Sequence, residues 1–405
     1  MPALAHAHRH VRPPAAEAPV TQCDALQRPS RTRRPGRPRA LLRVAPQNRT
    51  CAFPRIRLKQ ALWTSSAPAK RLKGSHSVRL QSRILPVGWS LATPPLFAVL
   101  EPARRVLLAG AGGGFDVYAG LPLAFALWDR GIEVHLANLS FGPLTLVPPE
   151  RWLEPNVAAV TPDVARRVSY FPELALAHWL AEQRLPSTVY ALRRTGVQPL
   201  RAAYRNLVSS LGVDAIVLVD GGTDILLRGD ESGLGTPVED IGSLAAVAGL
   251  DVPTKLVTCL GFGIDAYHGV NHVQVLENLA ALDRDGGYLG ALSIPSNSRE
   301  AALYRDAVAA AQAATPQRPS IVNGQIAAAL SGESGDTGFA RRLSGSTLFV
   351  NPLMAMYFTV DLMALAARCL YLDRLEETPT VRHIEVQIEQ FRSGIDRRIP
   401  RAFPH

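Results

Sequence analysis

RVLLAGAGGGFD, residues 105–116, is the stretch that decides the fold class. Here an apolar, strand-like run breaks into glycines, and the next residues, VYAGLPLAFALWDRG, predict a helix that Gly131 ends. A second apolar run, IEVHLANLS at residues 132–140, predicts another strand. A strand, a helix and a second strand in this order predict a parallel pair joined by a crossover.

The same pattern recurs in AIVLVDGGTD (residues 215–224) and KLVTCLGFGID (residues 255–265), and each run reaches an aspartate two residues after its last glycine. Strand-like and helix-like segments alternate over residues 105–351. This alternation predicts an α/β fold, doubly wound and Rossmann-like, with a mostly parallel sheet. Because loops at the carboxyl ends of parallel strands line the ligand crevice, the three glycine–aspartate loops predict one polar site.

The charge of the chain divides it into two parts. Residues 1–100 hold 18 Lys and Arg against two acidic residues, whereas the remainder has a balance of −6. The first part is also rich in proline and poor in periodic apolar residues. We therefore expect residues 1–103 to be a disordered basic extension, and residues 104–405 to form a single α/β domain with C-terminal helices.

Three explanations of the basic extension stay open. It could be a tail for nucleic acid or an anionic surface, a transit peptide, or an upstream segment from a misassigned start, which is the explanation we favour. The acidic balance of the remaining residues gives no reason to expect nucleic-acid binding by the folded domain.

Residues 352–371, PLMAMYFTVDLMALAARCLY, are the most hydrophobic long stretch. They carry Asp361 and Arg368, so they predict a buried helix with a structural ion pair rather than a membrane span. The four cysteines show no paired spacing, which favours a reduced, cytoplasmic setting. Homo-oligomerisation stays open.

The first loop places Gly112, Gly113 and Gly114 between a strand and a helix, where backbone N–H groups favour an anion such as phosphate. It is not a dinucleotide fingerprint, because the third glycine would fall on Phe115 or Val117. The second strand offers Asn138 to a ligand instead of the usual acid. Nothing in the sequence indicates NAD, flavin or PLP.

Asp116 would repel a phosphate bound at the same loop, and a bridging Mg²⁺ or Mn²⁺ would remove that conflict. In the second loop Asp220 and Asp224 lie four residues apart, so both are candidate metal ligands along with Asp116. The intervening Gly221, Gly222 and Thr223 are candidate ligand-binding residues. Helix capping by Asp116 and an Asx turn at Asp220 are the competing structural explanations.

The third loop contributes Gly261 and Gly263 as candidate ligand-binding residues. Asp265 and His268, together with Asp224, are the candidate catalytic residues. If this segment is helical, His272 lies one turn beyond His268, a spacing that would also suit metal ligation.

The residues TPVE at 236–239 predict a helix start with a capping box, so Glu239 is left out of the site.

Several long segments resemble the bacterial and archaeal family known as domain of unknown function 1152. They are GAGGGFDVYAGLPLAFAL, LANLSF, DGGTDILLRGDESGLGTPVEDIGSLAAV, LGFGIDAYHGVNHVQVLENLAAL and VNPLMAMY. The resemblance covers about residues 104–400. It implies a single folded unit that begins near residue 104, but no activity.

The loops favour an enzyme that binds a nucleotide or other phosphorylated metabolite with a divalent metal and catalyses hydrolysis or group transfer. A non-catalytic module that senses a nucleotide through the same loops is the first alternative, and a Rossmann oxidoreductase is the second. Glycines alone cannot separate them, because all three use the same crevice.

Overall fold

The computed structural model describes residues 89–165, 168–336 and 349–403. The disordered extension predicted for residues 1–103 lies outside the described residues up to residue 88. A short helix, α1 (Pro95–Leu100), precedes the domain start predicted at residue 104. Its Leu96 and Leu100 are buried in the core, so the folded unit includes this helix.

Strands and helices alternate along most of the described chain. The strands are β1 (Arg105–Gly110), β2 (Glu133–Ser140), β3 (Trp152–Glu154), β4 (Val157–Val160), β5 (Val189–Arg193), β6 (Ala215–Asp220), β7 (Thr254–Cys259), β8 (Tyr288–Ser293), β9 (Gly335–Asp336), β10 (Phe349–Val350) and β11 (Met356–Asp361). The remaining helices are α2 (Asp116–Ala119), α3 (Leu121–Asp129), α4 (Pro172–Glu182), α5 (Val197–Leu211), α6 (Pro237–Ala248), α7 (His272–Arg284), α8 (Arg299–Ala314), α9 (Ile321–Leu330), α10 (Leu362–Arg368) and α11 (Val381–Ser393).

Within the described ranges, nine strands form one sheet in the order β3-β4-β5-β2-β1-β6-β7-β11-β8. The five central strands, from β5 to β7, are parallel to one another. The edges are antiparallel: β4 pairs with β5 and β3 with β4 on one side, and β11 runs against both β7 and β8 on the other. β9 and β10 form a separate two-stranded pair.

Helices cover both faces of the sheet. Along β1, Leu107 and Ala109 belong to one buried cluster and Val106 and Leu108 to another, as expected for side chains that alternate across a strand. The first cluster includes α5, α6, α7, α10 and α11, and the second includes α2, α3, α8 and α9. The predicted doubly wound, mostly parallel α/β fold is confirmed.

The segment of residues 141–210 contains α4 and most of α5 and also supplies three strands, β3, β4 and β5. These strands are three to five residues long and lie towards one edge of the sheet. Their side chains pack in part against α4 and α5, so tertiary contacts stabilise them where local sequence signals are weak.

The prediction of a buried helix over residues 352–371 is wrong. A 3-10 helix (Pro352–Ala355), β11 and α10 occupy this stretch. Asp361 caps α10 by accepting a hydrogen bond from the amide of Ala364 at 2.8 Å. Arg368 pairs with Asp285 at 3.2 Å, so the predicted ion pair with Asp361 does not form. Of the described helices, none combines the length and apolar character needed to cross a membrane.

The strand order explains where the three glycine–aspartate loops meet. From β1 the chain moves to β2 on one side of the sheet and later returns to β6 on the other side. The order therefore reverses between β1 and β6, and a crevice opens at such a switch point. Because β1, β6 and β7 are neighbours in the sheet, the loops that follow them lie at one edge.

Candidate functional site

A cavity of about 150 Å³ lies at this edge of the sheet, and all three loops contribute to its wall. Of the residues predicted from the sequence, the structure brings together Gly112, Gly113, Asp116, Asp220, Gly221, Asp224, Asp265 and His268. The wall also contains residues that the sequence did not assign to the site, namely Thr236, Asp240, Tyr267 and Val322. The three loops therefore share one cavity.

Five aspartates line this cavity, and most of them are inaccessible to solvent. Asp220, Asp224, Asp240 and Asp265 are each 2–6% exposed, and Asp116 is partly exposed. Carboxylates are rarely buried so close together, because removing a charge from water costs several kcal/mol unless a partner compensates. A cation bound in the cavity would offset this cost.

The electrostatic consequence is a set of raised pKa values. Burial, followed by the charge of Asp224, raises the pKa of Asp116 to about 7, while amide hydrogen bonds oppose the shift. Burial and then the charge of Asp224 hold the pKa values of Asp220, Asp240 and Asp265 well above their ordinary range. Burial also raises the pKa of Asp224 itself, against hydrogen bonds from Thr236.

The glycines of the loops make room for these carboxylates. A Cβ on Gly112 would lie 2.6 Å from Asp240 Oδ1 and 2.7 Å from Asp116 Oδ2. A Cβ on Gly222 would lie 2.6 Å from Asp265 Oδ2. All three distances are below any normal contact. Glycine is thus required here because carboxylates approach the backbone closely.

The backbone amides of the first loop already have acceptors within the protein. The amide of Gly112 donates to Asp116 Oδ2 at 2.7 Å, and that of Gly114 donates to the carbonyl of Leu139 at 3.2 Å. Hydrogen bonds from the amides of Gly113 and Gly221 also favour the ionised form of Asp116. The carboxylate of Asp116 therefore occupies the anion position that the sequence assigns to a phosphate. The predicted ligand-binding role of these glycines stays a prediction.

Asn138 lies behind the first loop and is not part of the cavity wall. Its side-chain amide donates to the carbonyl of Gly114 at 2.8 Å and to Glu173 Oε1 at 2.7 Å. Burial raises the pKa of Glu173 to about 7. Asn138 is fully buried, and its hydrogen bond to Gly114 fixes the position of the first loop. Its predicted contact with a ligand is not tested by this geometry.

The second and third loops are joined directly. The amide of Thr223 donates to Asp265 Oδ2 at 2.7 Å, so Asp265 fixes the second loop while lining the cavity. Gly261 and Gly263 have φ values of +102° and +90°, which glycine adopts readily. These two glycines, with Gly222 and Thr223, lie outside the cavity wall and support it.

Thr236 has a different role from the predicted one. It precedes α6, with Pro237 in the first turn as expected, but its side chain makes no capping hydrogen bond. Instead its amide and hydroxyl both donate to Asp224 Oδ2, at 2.7 Å and 3.0 Å. Glu239 pairs with Arg194. The predicted capping box is therefore wrong, because the hydroxyl of Thr236 binds Asp224 and does not cap α6.

His268 and His272 do not share a helix. His268 ends the 3-10 helix Ile264–His268, Gly269 follows with φ of +82°, and α7 begins only at His272. The one-turn spacing considered for metal ligation is therefore not formed. His268 alone lines the cavity. Burial lowers its pKa, and the charge of Asp224 partly opposes this, which favours a neutral imidazole near pH 7.

Asp240 is the main residue that sequence reasoning missed. It lies in the first turn of α6, where an acid is already explained by the helix dipole. Oxygens of Asp116, Asp220 and Asp240 lie within 4.8 Å of one another, a grouping that could hold a metal ion. Asp240 Oδ1 is buried without a hydrogen-bond partner among the described residues. Asp224, also predicted as a ligand, is outside this group of three.

The model of the family described as "Protein of unknown function (DUF1152)" matches residues 149–392, more than half of the chain. The chain belongs to this family. The match spans the second and third glycine–aspartate loops and Asp240, whereas the first loop precedes it. Among curated proteins and among solved structures, neither search finds a match. Membership of the family therefore agrees with the predicted resemblance and assigns no reaction.

Proposed function

We propose that this member of the DUF1152 family is a divalent-cation-dependent enzyme acting on a nucleotide or other phosphorylated metabolite. The observation that carries the proposal is the unpartnered, buried Asp240 Oδ1 beside Asp116 and Asp220. A buried carboxylate oxygen without a donor is costly, and a cation at this position would compensate all three carboxylates. Mg²⁺ and Mn²⁺ fit best, because both prefer hard oxygen ligands.

The proposal of a phosphorylated ligand rests on the cation that these carboxylates would hold. A cation held by carboxylates usually keeps open positions, and substrate phosphates commonly fill them in magnesium sites. The cavity of about 150 Å³ has room for the cation and a phosphoryl group. The anion would bind through the cation, since the amides of Gly112 and Gly114 are already engaged.

Hydrolysis is the simplest reaction for this set of residues. A water oxygen would attack phosphorus, the bond to the leaving oxygen would break, and the neutral imidazole of His268 would accept the proton of the water. Asp224 and Asp265 would orient the water or the substrate from the opposite loops. Transfer to another acceptor would use the same groups, with a substrate hydroxyl in place of water.

The two alternatives fit the cavity less well. A Rossmann oxidoreductase needs glycine-loop amides and an acid on the second strand for its dinucleotide, but Gly112 donates to Asp116 and Asn138 is buried. A non-catalytic sensor has no need of a neutral histidine beside the carboxylates. Turnover separates the enzyme from the sensor, because only the enzyme releases product.

Asp240→Asn is the variant that tests the proposal. It removes one charge and one ligand oxygen while keeping the shape of the side chain, so calorimetric affinity for Mn²⁺ should fall by about a hundredfold or more. Release of phosphate from a panel of nucleotides and sugar phosphates in Mn²⁺ should fall with it.

Asp283→Asn makes the same chemical change at an exposed position of α7 and serves as the matched control. It should bind Mn²⁺ as the unaltered protein does. Unaltered protein that binds neither Mn²⁺ nor Mg²⁺, or Asp240→Asn protein with full affinity, would refute the cation site. Tight cation binding with no product from any substrate of the panel would favour the sensor.

A further inference from the structure

An exposed phenyl ring packs against the first glycine loop. Phe141 directly follows β2, the strand beside β1, and is 46% exposed. Its Cζ lies 3.2 Å from the position that a Cβ on Gly113 would take, and its Cδ2 lies 3.4 Å from that on Gly114. Gly113 lines the cavity, so the ring lies directly beside a residue of the cavity wall.

A second aromatic ring and a cation lie near the same glycine turn. Tyr170 Oη lies 3.2 Å from the Cβ position of Gly114. The guanidinium of Arg318 lies 5.8 Å from the centre of the Tyr170 ring, and the residue is exposed. Among the described residues no carboxylate pairs with Arg318. Arg194, which lies 5.7 Å from the centre of the Phe141 ring, is instead paired with Glu239.

The volume of the cavity sets a limit on what it can enclose. Pockets that enclose a whole metabolite commonly measure roughly 300–1,000 Å³. A cavity of about 150 Å³ is smaller, so most of a phosphorylated metabolite must extend beyond it. The substrate portion outside the cavity would therefore extend past Gly113 and Gly114, next to which lie Phe141 and the Tyr170 ring that carries Arg318.

We propose that the substrate of this site is a nucleotide, whose base stacks on Phe141 while Arg318 contacts its phosphates. This inference rests on the proposed function and narrows it from phosphorylated metabolites in general to those with a flat aromatic base. The face of an aromatic ring recognises any base, whereas a sugar phosphate has no flat group to place there. The unpaired guanidinium supplies the positive charge that the carboxylate-rich cavity lacks.

Binding of base-containing and base-free ligands tests this proposal. In Mn²⁺, calorimetry would compare ADP, GDP, CDP and UDP with inorganic pyrophosphate. At least one nucleoside diphosphate should bind the unaltered protein about tenfold more tightly than pyrophosphate, because stacking adds to the phosphate contact. Phe141→Leu should lose that preference while keeping its affinity for pyrophosphate and Mn²⁺, and Phe141→Tyr should retain it.

Phe403→Leu makes the same change at another exposed phenylalanine and should leave all affinities unchanged. Melting temperatures of the variants would show that each one folds. Nucleotides that bind no more tightly than pyrophosphate, or Phe141→Leu protein with an unchanged preference, would overturn the assignment of the base while leaving the cation site intact. Protein that binds neither Mn²⁺ nor pyrophosphate would overturn the proposed function as well.

Discussion

At the scale of single residues, the glycines and aspartates of the three loops pack closely against one another. The loop glycines leave space that carboxylates fill, and the loop amides hold Asp116 in its place. The sequence shows the glycines and most of the aspartates, but it does not show which anion the amides bind. A ligand phosphate and a carboxylate of the same loop satisfy them equally well, and only the folded geometry distinguishes the two.

Gly112→Ala should therefore disturb the carboxylates although it removes no charge. The added methyl group would lie 2.6 Å from Asp240 Oδ1 and 2.7 Å from Asp116 Oδ2, so both side chains must move. We expect a loss of about 1–3 kcal/mol in the free energy of unfolding, as for other overpacked sites. Calorimetry should show at least about tenfold weaker Mn²⁺ binding, as when the support of a ligand is lost.

Gly394→Ala is the matched control, because its added methyl group would meet only carbonyl oxygens at 3.6 Å and 3.7 Å, which are ordinary contact distances. Its φ of −97° also suits alanine. The account of the glycine loops fails if Gly112→Ala behaves like Gly394→Ala in both unfolding and Mn²⁺ titration.

Asp240 shows why the sequence revealed only part of the site. Its position in the first turn of α6 has an adequate local explanation, because acids there interact favourably with the helix dipole. Nothing in the order of residues indicates that this turn packs against Gly112, 128 residues earlier in the chain. The contact depends on how α6 packs on the sheet, which is a tertiary property.

At the scale of helices and strands, the glycine-ended strands β1, β6 and β7 could be predicted, since each joins a buried apolar run to a loop. The wrong secondary-structure predictions concern apolar runs that no glycine loop follows. Residues 352–371 are apolar nearly throughout, and periodicity cannot separate a buried strand from a buried helix in such a stretch. Pairing with β7 and β8 selects the strand β11.

The short strands β3, β4 and β5 escaped prediction for a related reason. Each is five residues or fewer, and prolines and helix-forming residues surround them. Their stability comes from pairing at one side of an existing sheet, which local sequence does not report. None of them supplies a residue to the cavity wall, so these omissions did not affect the predicted site.

At the scale of the whole molecule, the convergence of the loops follows from the position of β1 between β2 and β6. The sequence predicts a crevice at the carboxyl ends of the strands, but the order of the strands decides which loops meet there. That order concentrates five carboxylates in one cavity. The charge they share must affect the stability of the entire fold.

The stability of the cation-free protein should fall as the pH rises from about 5 to 7.5. Burial raises the pKa of Asp116 and of Glu173 to about 7, so the folded state binds protons that the unfolded state has already released. The stability present below the ordinary carboxyl pKa is then lost as the pH rises through the raised values. Burial lowers the pKa of His135, His268 and His272, and these histidines oppose the trend in part around pH 6.5, where the unfolded state still binds their protons. The raised carboxyl pKa values are more numerous, so the net change is a decline.

Urea denaturation in EDTA at several pH values measures this effect. Asp240→Asn should show a shallower decline, since one of the coupled carboxylates is gone, and saturating Mn²⁺ should reverse the decline in the unaltered protein. A free energy of unfolding that is constant or rises over this pH range would contradict the electrostatic description of the cavity.

The central claim is that Asp116, Asp220 and Asp240 together hold a divalent cation. Anomalous X-ray scattering from a crystal grown with Mn²⁺ tests it most directly, because the signal locates the metal without assumptions about chemistry. The account predicts one strong peak within bonding distance of carboxylate oxygens from all three residues. A crystal saturated with Mn²⁺ that shows no peak in this cavity, or a peak bound by other residues alone, would contradict it.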